Sequence, residues 1–493
     1  MTDLPNYTHF IDGARVSSGD GRVFASDDPF TGQPWAEIAR GGPTEVDAAV
    51  ASAKCAFREG AWPALTASKR GALLRKVADL IVANADRLAE IERRDNGKLA
   101  AEVVAQVRYM GDYFHYYAGL ADKIESRVIP TDKIGVFNYT RYEPKGVIAI
   151  ITPWNSPLTL TSWKLAPALA AGCTVVVKPS EFTSASMVEL AQLFIDAGFP
   201  PGVVNVVTGF GAEVGEPLVT HPDVAHIGFT GGDAAGRRIY ELAARNLKTV
   251  TLELGGKSPN IVFDDADLDQ AVKGVVSGIF AATGQSCQAG SRLLVQDSIH
   301  DELVERLIAF VKDAKLGDPA DPDTRIGPVA TRPQFDKVMG YIETAKAEGA
   351  RCVFGGHDRP DLGGGQFVEP TIFVGVDNSM RIAQEEVFGP VLSVIRFTDE
   401  ADAVRIANDI RFGLAAAVWT KSLHRAMLLI EKLEAGTVWV NNYRATSFTS
   451  PFGGYKDSGI GRESGSQAIY EYLETKSVWI STDLDVPNPF IRR

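Results

Sequence analysis

The chain has 493 residues, of which 45% are hydrophobic and 23% are charged, which is ordinary for a soluble globular protein and predicts two or three domains. The formal net charge of −12 is spread in segments of mixed sign, which argues against a polyanion-binding surface and against nucleic acid as a partner. No apolar run approaches the length of a bilayer span, and residues 1–13 lack the pattern of a secretory signal, so no membrane association and a cytoplasmic location are expected.

The cysteines and the acidic residues predict no metal site. The four cysteines lie far apart and show neither CxxC nor Cys/His ligand spacing, so disulfides and structural zinc are not expected. Asp265, Asp267 and Asp269 have the spacing of a calcium loop, but its sixth and twelfth positions lack the required glycine and glutamate. These acids are instead expected to cap and charge the start of a helix at Leu268.

The first 143 residues read as short strands, then helices, then an isolated strand. Alternating stretches between residues 7 and 40, broken by Gly and Pro, predict strands and hairpins. From Thr44 to about Lys123 the pattern becomes helical. Residues 133–143 alternate like an exposed strand outside any βαβ unit, and such an edge invites pairing with another chain.

Two later series of alternating strands and helices predict an α/β fold with two doubly wound parallel-sheet domains. Both contain runs of β-branched residues, which are typical of strands buried on both faces. The first series has predicted strands at 146–151, 173–178, 203–207 and 224–229, with helices over 156–171, 184–197 and from 212. The second has predicted strands at 260–263, 292–295, 391–396, 415–419 and 437–440, with helices over 299–315 and 332–348.

Polar motifs follow several strands of the first series. Pro153-Trp154-Asn155, the segment 178–181 and the segment 228–232 each lie at a strand end, so they are expected to converge on one cleft. The glycine cluster at 209–215 is one residue too long for the G-x-G-x-x-G fingerprint. Residues 228–236 also open a helix, whose free N–H groups suit a phosphate, so an unconventional dinucleotide site is predicted.

Two residues are candidates for covalent and acid–base chemistry. Cys287 lies among small and polar residues after an apolar run, a setting that favours a reactive thiolate, although a small core residue fits the same pattern. Glu253 lies among apolar residues before paired glycines, where burial would raise its pKa toward the range of a general base. A structural ion pair at Glu253 is the alternative.

Six motifs in register resemble the NAD(P)-dependent aldehyde dehydrogenase superfamily, and the resemblance covers nearly the whole chain. They are Cys287 in Gly-Gln-Ser-Cys, Glu253 in Leu-Glu-Leu-Gly-Gly-Lys, Asn155 in Pro-Trp-Asn, and the segments 178–181, 385–390 and 451–454. The resemblance implies a modified Rossmann cofactor domain, a catalytic domain and a small β oligomerisation element.

The resemblance also implies a mechanism. Cys287 would attack the aldehyde as thiolate, and the oxyanion of the thiohemiacetal would be held by the Asn155 amide and the backbone N–H of Cys287. After hydride transfer, water activated by Glu253 would hydrolyse the thioester to a carboxylic acid. Glu474, in Tyr-Leu-Glu-Thr-Lys, matches a second carboxylate that relays protons outward.

The implied cofactor is NAD, with NADP possible. Lys178 and Glu181 would reach the adenosine ribose, and Glu386 and Phe388 would position the nicotinamide half. A carboxylate at Glu181 favours NAD, because it accepts a hydrogen bond from the 2′-hydroxyl and repels a 2′-phosphate. The other residues expected to bind the cofactor are Thr152, Trp154, Ser180, Gly211, Phe229, Thr230, Gly231, Gly232 and Leu254.

Several residues depart from the family pattern. Gly232 stands where the family commonly has a serine that contacts the pyrophosphate. Around the thiol, small or polar residues predict a roomier and more polar pocket and a polar or semialdehyde-like substrate; they are Ser156, Thr159, Ser286, Gln288, Thr446 and Ser447. Arg108 or Arg444 could meet an anionic substrate end, although arginines at such positions are more often solvated.

The resemblance divides the chain into three parts. Residues 1–124 and 145–254 would form the NAD(P)-binding domain, and residues 255–456 the catalytic domain. Residues 125–144 and 470–493 would form the oligomerisation element, with a tail strand at 476–482 that lets one subunit extend the sheet of another. A homotetramer built as a dimer of dimers is expected, with a dimer as the alternative.

Three other functions are weighed against aldehyde oxidation to the acid. A CoA-acylating aldehyde dehydrogenase does not need a base at Glu253. A non-catalytic NAD-binding structural relative would be expected to have lost Cys287, Glu253 or Asn155. A cysteine hydrolase would want a histidine beside the thiol, and His226, inside a predicted strand, is better explained as a core residue.

Overall fold

The computed structural model describes residues 4–482 and residue 490. Two large sheets organise the chain, and the helices cover both faces of each sheet, as the alternating pattern predicts. No helix within the described ranges is long and apolar enough to cross a membrane. The α/β fold with two doubly wound sheets is therefore observed.

The first sheet has eight strands, of which the central five run parallel. Its edges are short antiparallel strands from the amino terminus and from residues near 460. In spatial order the strands are Gly459–Ile460, Thr249–Glu253, Val224–Thr230, Val147–Ile151, Thr174–Lys178, Val204–Val206, His9–Ile11 and Ala14–Val16. Glu253 is thus the last residue of a parallel strand at the open end of the sheet.

The second sheet has seven strands, and all but one edge strand run parallel. In spatial order they are Arg351–Phe354, Thr371–Val374, Val391–Phe397, Arg292–Gln296, Pro259–Val262, Ala415–Trp419 and Thr437–Val440. Buried apolar clusters lie on both of its faces. Cys287 lies in the loop that enters the strand Arg292–Gln296.

Two small sheets and one strand pair complete the β-structure. The amino-terminal sheet contains Asn6–Tyr7, Gln33–Ala39 and Val23–Asp28, and the strand pair contains Phe412–Gly413 and Tyr455–Lys456. The remaining sheet contains Leu473–Ser481, Val136–Pro144 and Val128–Ile129 in that spatial order.

That last sheet corrects one prediction. The strand Val136–Pro144 is not an open edge, because it is flanked by Val128–Ile129 and, over nine residues, by the tail strand Leu473–Ser481 of the same chain. Within the described residues, the edges of this sheet are the tail strand and the two-residue strand Val128–Ile129. The predicted oligomerisation element also includes residues 483–489 and 491–493, which lie outside the described residues.

The helices follow the predicted pattern closely. In the described residues the α-helices are Pro43–Arg58, Ala67–Ala83, Ala85–Asn96, Ala100–Leu120, Pro157–Ala171, Ala185–Asp196, Glu216–Thr220, Asp233–Ala244, Leu268–Ile279, His300–Val311, Arg332–Ala347, Arg381–Gln384, Glu400–Asn408 and Leu423–Lys432. Other helical turns lie at Gly211–Gly215, Ala281–Gly284, Asp297–Ile299 and Ser466–Tyr472. The helix expected from residue 212 is therefore a wide turn followed by a short helix.

The acids near residue 265 have different roles. Asp267 caps the helix Leu268–Ile279, because its carboxylate accepts a hydrogen bond from the Gln270 backbone N–H at 3.2 Å. Asp265 does not cap this helix, since it accepts from the Thr420 hydroxyl at 2.8 Å and from Arg425 at 2.8 Å. One of the three acids is therefore the cap that the sequence predicts.

The helix Pro157–Ala171 connects the fold to the site. It begins with a proline, ends at Gly172 with φ of 101°, and is buried along nearly its whole length. A helix that is apolar all round belongs inside a protein, and this one packs between the first sheet and the helix Ala100–Leu120. It carries Lys164 into the interior, where a lysine needs a carboxylate partner.

Candidate active site

One cleft gathers the predicted residues at the open end of the first sheet. Its volume is about 420 Å³, and its wall contains Asn155, Cys287 and all the residues predicted to bind a cofactor: Thr152, Trp154, Lys178, Ser180, Glu181, Gly211, Phe229, Thr230, Gly231, Gly232, Leu254, Glu386 and Phe388. The strand ends converge because the carboxyl ends of parallel strands share one edge of a sheet. Glu253 and Glu474 do not line this cleft.

The cleft has features that suit a dinucleotide along its length. At one end, Val219, Ile239 and Leu242 form an apolar wall. In the middle, the helix Asp233–Ala244 begins at Gly232, whose backbone has no side-chain cap and whose added Cβ would meet nothing within 4 Å. Free N–H groups at a helix start favour a phosphate.

Charged side chains mark two further positions in the cleft. Lys178 is buried, and its ammonium donates to the Pro179 carbonyl at 2.8 Å and to the Glu181 carboxylate at 3.3 Å. Glu386 accepts a hydrogen bond from the Gly256 backbone N–H at 2.9 Å, and it lies so close to Gly255 that a Cβ there would be 2.6 Å from its carboxylate. Burial raises the pKa of Glu386.

Some residues of the cleft were not predicted from the sequence. Ala235, Ile239 and Leu242 lie on one face of the helix Asp233–Ala244, and their helical spacing is a signal that could have found them. Arg238, Gln334 and Lys337 carry no comparable signal, because polar residues on a helix are usually solvated.

The thiol of Cys287 is held near an amide and two carboxylates. Asn155 Nδ2 donates to the Gln285 carbonyl at 2.9 Å, which fixes the amide two residues before the cysteine. Burial, followed by Glu386 and Glu253, raises the pKa of Cys287 to about 12. In the protein alone, burial thus acts against the thiolate despite the small and polar neighbours that the sequence shows.

Glu253 is buried at the end of its strand, and neither carboxylate oxygen has a hydrogen-bond partner within the described part of the chain. Burial raises its pKa well above the usual value, and the neighbouring Glu463 raises it further. The alternative of a direct ion pair is not observed, since among the described residues no salt bridge involves Glu253. A carboxyl group with a raised pKa is suited to accept a proton from water.

A buried chain of polar groups runs from Glu253 toward the cleft. Lys164 pairs with Glu463 at 2.5 Å and donates to the Thr230 hydroxyl at 2.5 Å. Thr230 lines the cleft, and Glu463 lies beside Glu253. The signal that could have found this pair is Lys164 itself, a cation in the middle of an apolar helix.

Glu474 does not belong to this chain of groups. It is exposed on the tail strand Leu473–Ser481, opposite Glu143 of the neighbouring strand. The second carboxylate beside Glu253 is Glu463, so the assignment to Glu474 is corrected. The tail strand turns away into the small three-stranded sheet, which carries Glu474 to the surface.

Polar and aromatic side chains surround the thiol on the side away from the cleft. The Ser156 hydroxyl accepts from the Lys98 ammonium at 2.7 Å. The side-chain oxygens of Thr159 and Gln288 are buried, with no hydrogen-bond partner in the described ranges. Cys287 and Phe448 pack half-buried against a cluster that contains Trp163 and Phe452. The surroundings include polar groups, as the sequence predicts, and also an aromatic wall that the sequence did not predict.

The two arginines proposed for an anionic substrate end differ. Arg108 is exposed and donates to the exposed Asp86 at 3.2 Å, which is the solvated alternative. Arg444 follows Tyr443, whose hydroxyl donates to the Gln288 carbonyl at 2.9 Å beside the thiol. Its guanidinium donates to the Ser277 carbonyl at 3.3 Å and has no acidic partner in the part of the chain described.

The fold and the site define an enzyme that places a half-buried thiol in the wall of a nucleotide-type cleft. The aldehyde dehydrogenase family model matches residues 16–478. The chain belongs to this family, and it is an NAD(P)-dependent oxidoreductase that acts on an aldehyde.

Similar proteins support this assignment over nearly the whole chain. The chain is 47% identical to (Z)-2-((N-methylformamido)methylene)-5-hydroxybutyrolactone dehydrogenase of Acinetobacter baylyi, over 95% of this chain and 96% of that one. It is 46% identical to retinaldehyde dehydrogenase 3 of Rattus norvegicus, over 97% and 93%.

Solved structures are equally similar. An NAD+ complex of aldehyde dehydrogenase from Bacillus cereus superposes with a TM-score of 0.95 at 42% identity, covering 97% of this chain and 96% of that one. Betaine aldehyde dehydrogenase from Staphylococcus aureus in complex with NAD+ superposes with a TM-score of 0.96 at 41% identity, covering 98% and 96%.

Proposed function

We propose that the protein oxidises a polar aldehyde to the carboxylic acid with NAD+, by a covalent route through Cys287 and a hydrolytic step through Glu253. The observation that carries the proposal is the position of Cys287 and Asn155 in the wall of the dinucleotide cleft, with the Glu253 carboxyl buried close by and without a hydrogen-bond partner among the described residues. In this arrangement the thiol can form a covalent adduct with the aldehyde, and Glu253 can then accept a proton from the water that hydrolyses it.

The cofactor would lie along the cleft. Its adenosine ribose would meet Lys178 and Glu181, its pyrophosphate the helix start at Gly232, and its other ribose Glu386. When bound, NAD+ supplies a hydride acceptor and a positive charge. A positive charge near the thiol lowers its pKa, which would offset the effect of burial on Cys287.

Three residues of the chain would then have separate chemical roles. The Cys287 thiolate adds to the aldehyde carbon, and the Asn155 amide donates a hydrogen bond to the oxygen that becomes negative. After oxidation of the adduct, Glu253 accepts a proton from water as the water adds to the thioester carbonyl carbon, and the Cys287–acyl bond breaks. The buried pair of Glu463 and Lys164 gives that proton a polar route away.

A substrate screen tests this function. NADH absorbance is followed for the wild type, Cys287→Ala and Cys55→Ala over aliphatic, aromatic, hydroxylated and semialdehyde substrates, with NAD+ and NADP+ in parallel. Cys55 is an exposed cysteine and serves as the matched control. Hydroxylated or semialdehyde substrates and NAD+ are expected to give the highest kcat/KM.

Several outcomes would contradict the proposal. A dehydrogenase rate retained by Cys287→Ala would exclude the covalent route. A preference for NADP+ would contradict the role of Glu181. Formation of acyl-CoA instead of free acid when CoA is present would assign the enzyme to the CoA-acylating class.

The assembly is proposed to be a cytoplasmic homotetramer built as a dimer of dimers. Support comes from the tail strand Leu473–Ser481, which is an edge of its sheet among the described residues and exposes Trp479 and Ile480 near Phe137. Light scattering after size exclusion should give four chains for the wild type and fewer for Trp479→Ser. Leu423→Ser, which replaces an exposed leucine elsewhere, should leave the mass unchanged.

A further inference from the structure

The segment that leads into Cys287 has an unusual backbone. After the helix Leu268–Ile279, Ala282, Thr283 and Gly284 take φ values of 52°, 55° and 70°. The left-handed region is costly for residues with a Cβ, and most of all for a β-branched residue. Gly284 meets this requirement and also packs so tightly that a Cβ would lie 2.1 Å from the Gly389 carbonyl oxygen. Ala282 and Thr283 must be held by their surroundings.

Glu102 supplies the most direct restraint on this turn. Its carboxylate accepts a hydrogen bond from the Ala282 backbone N–H at 3.2 Å. Glu102 belongs to the helix Ala100–Leu120, 180 positions earlier in the chain. Around it, the Thr283 hydroxyl donates to the Gly327 carbonyl at 3.2 Å and the Gln285 side chain accepts from the Ala330 N–H at 2.9 Å. Hydrogen bonds therefore hold the turn both to the helix Ala100–Leu120 and to the loop at residues 327–330.

The turn is coupled to the groups that perform the chemistry. The Gln285 carbonyl, one residue after the turn, accepts from Asn155 Nδ2. Behind these groups lies a cavity of about 10 Å³ lined by Glu102, Asn155, Thr283 and Gln285, roughly the room of one water molecule. The second oxygen of Glu102 is buried, with no hydrogen-bond partner among the described residues. Any relaxation of the turn would therefore move both the amide and the thiol.

Lys98, buried close to this turn, links the same helical region to Ser156 and lies 3.8 Å from the Glu92 carboxylate. Its ammonium is buried and donates to Gln106 at 2.9 Å and to Ser156 at 2.7 Å, next to Asn155. Burial lowers the pKa of Lys98, and the charges of Glu92 and Glu102 oppose that change.

We infer that Glu102 is a positioning residue, which holds residues 282–284 in the left-handed conformation and thereby aligns the Asn155 amide with Cys287. This inference rests on the proposed roles of those two residues. Glu102 does not line the cofactor cleft, so its effect should fall on the chemistry at the thiol and leave cofactor binding unchanged.

The test compares Glu102→Ala, Glu102→Gln, Ala282→Gly and the double variant of Glu102→Ala with Ala282→Gly. Asp112→Ala, at an exposed position of the same helix, is the matched control. Glu102→Ala should lower kcat by about tenfold to hundredfold with an unchanged KM for NAD+, because small displacements of reacting groups are costly. Glu102→Gln should lose less, since its amide oxygen can still accept the Ala282 N–H.

The double variant carries the decisive comparison. Glycine adopts the left-handed conformation without help, so Ala282→Gly should restore most of the kcat that Glu102→Ala loses. A residue that only stabilises the fold would not be rescued in this way. Thermal unfolding of every variant is recorded alongside.

A second measurement does not depend on dehydrogenase activity. The rate of Cys287 alkylation by iodoacetamide should change at least threefold in Glu102→Ala and return toward the wild-type value in the double variant. If both kcat and alkylation of Glu102→Ala stay within twofold of wild type, or if the glycine rescues neither, the inference is wrong. A wild type that produces no NADH but shows the alkylation pattern would contradict the proposed function and leave the positioning role supported.

Discussion

The cofactor cleft and the surroundings of the thiol are built in opposite ways. Most of the cleft comes from strand ends and helix starts between residues 152 and 254, which are close in sequence and partly open to solvent. The chemistry at the thiol, by contrast, joins segments far apart in sequence, because half-buried Cys287 meets Asn155 in the cleft wall and the buried carboxyl of Glu253 lies beside that of Glu463. A cleft that is open to solvent can bind and release a ligand. Groups that are shielded from water have shifted pKa values and fixed positions, as acid–base chemistry requires.

The largest expected effect is a loss of thioester hydrolysis, which depends on the buried carboxyl of Glu253. Glu253→Gln removes the base that activates water, so the steady-state rate should fall by about 10² to 10⁴, the usual contribution of a general base. Acylation should persist, giving a burst of about one NADH per active site and an acyl adduct on Cys287 by mass spectrometry. Glu474→Gln is the control, because this carboxylate is exposed on the tail strand; a similar loss there would restore the original assignment.

The next prediction concerns how the rate of Cys287 alkylation depends on pH, with and without NAD+. Because the pKa of Cys287 is raised to about 12, the thiol stays protonated at neutral pH and its thiolate fraction rises about tenfold per pH unit below that value. Alkylation of the cofactor-free protein should therefore climb from pH 7 to pH 10 without a plateau. Adding NAD+ should move the curve to lower pH. A plateau near pH 8 in the cofactor-free protein would contradict the raised pKa.

The buried pair should matter for stability as well as for proton transfer. Lys164→Met leaves Glu463 without its partner, and loss of one member of a buried ion pair costs about 3–5 kcal/mol. The free energy of unfolding from denaturant titration measures this loss. Replacing both residues, with Lys164→Met and Glu463→Leu, should recover most of it. An equal loss in the double variant would show that the pair itself is not the cause.

The smallest effect is expected in the cofactor cleft. Gly232→Ser adds a helix cap, which contributes a few tenths of a kcal/mol relative to glycine, and a hydroxyl for the pyrophosphate. The Kd for NAD+ should fall a few-fold, as measured by calorimetry, while kcat changes little or decreases if NADH release limits turnover. An added side chain meets open space at this position, so weaker binding would contradict the placement of the pyrophosphate.

The success of the sequence-based predictions follows the same division. Thr152, Lys178 and Phe229 could be placed in one cleft because each lies at or next to the end of a predicted parallel strand, whereas Leu254 was assigned through the family resemblance. Glu463 could not be found this way, because it lies in an irregular segment near a two-residue strand. Its importance comes from Lys164, almost 300 positions earlier, and no local spacing links the two.

The sequence by itself predicted the two parallel sheets and the polar strand ends that form the cleft of the first sheet, and the family resemblance pointed to Cys287, Glu253 and Asn155. Periodicity and strand-end motifs are local signals, and parallel topology converts them directly into position. Only the tertiary structure showed that burial raises the pKa of the thiol, that Glu463 and not Glu474 lies beside Glu253, and that Glu102 accepts a hydrogen bond from a left-handed turn. The reason is physical: burial and pairing depend on which distant segments meet, and they set the pKa and the geometry of every group in the site.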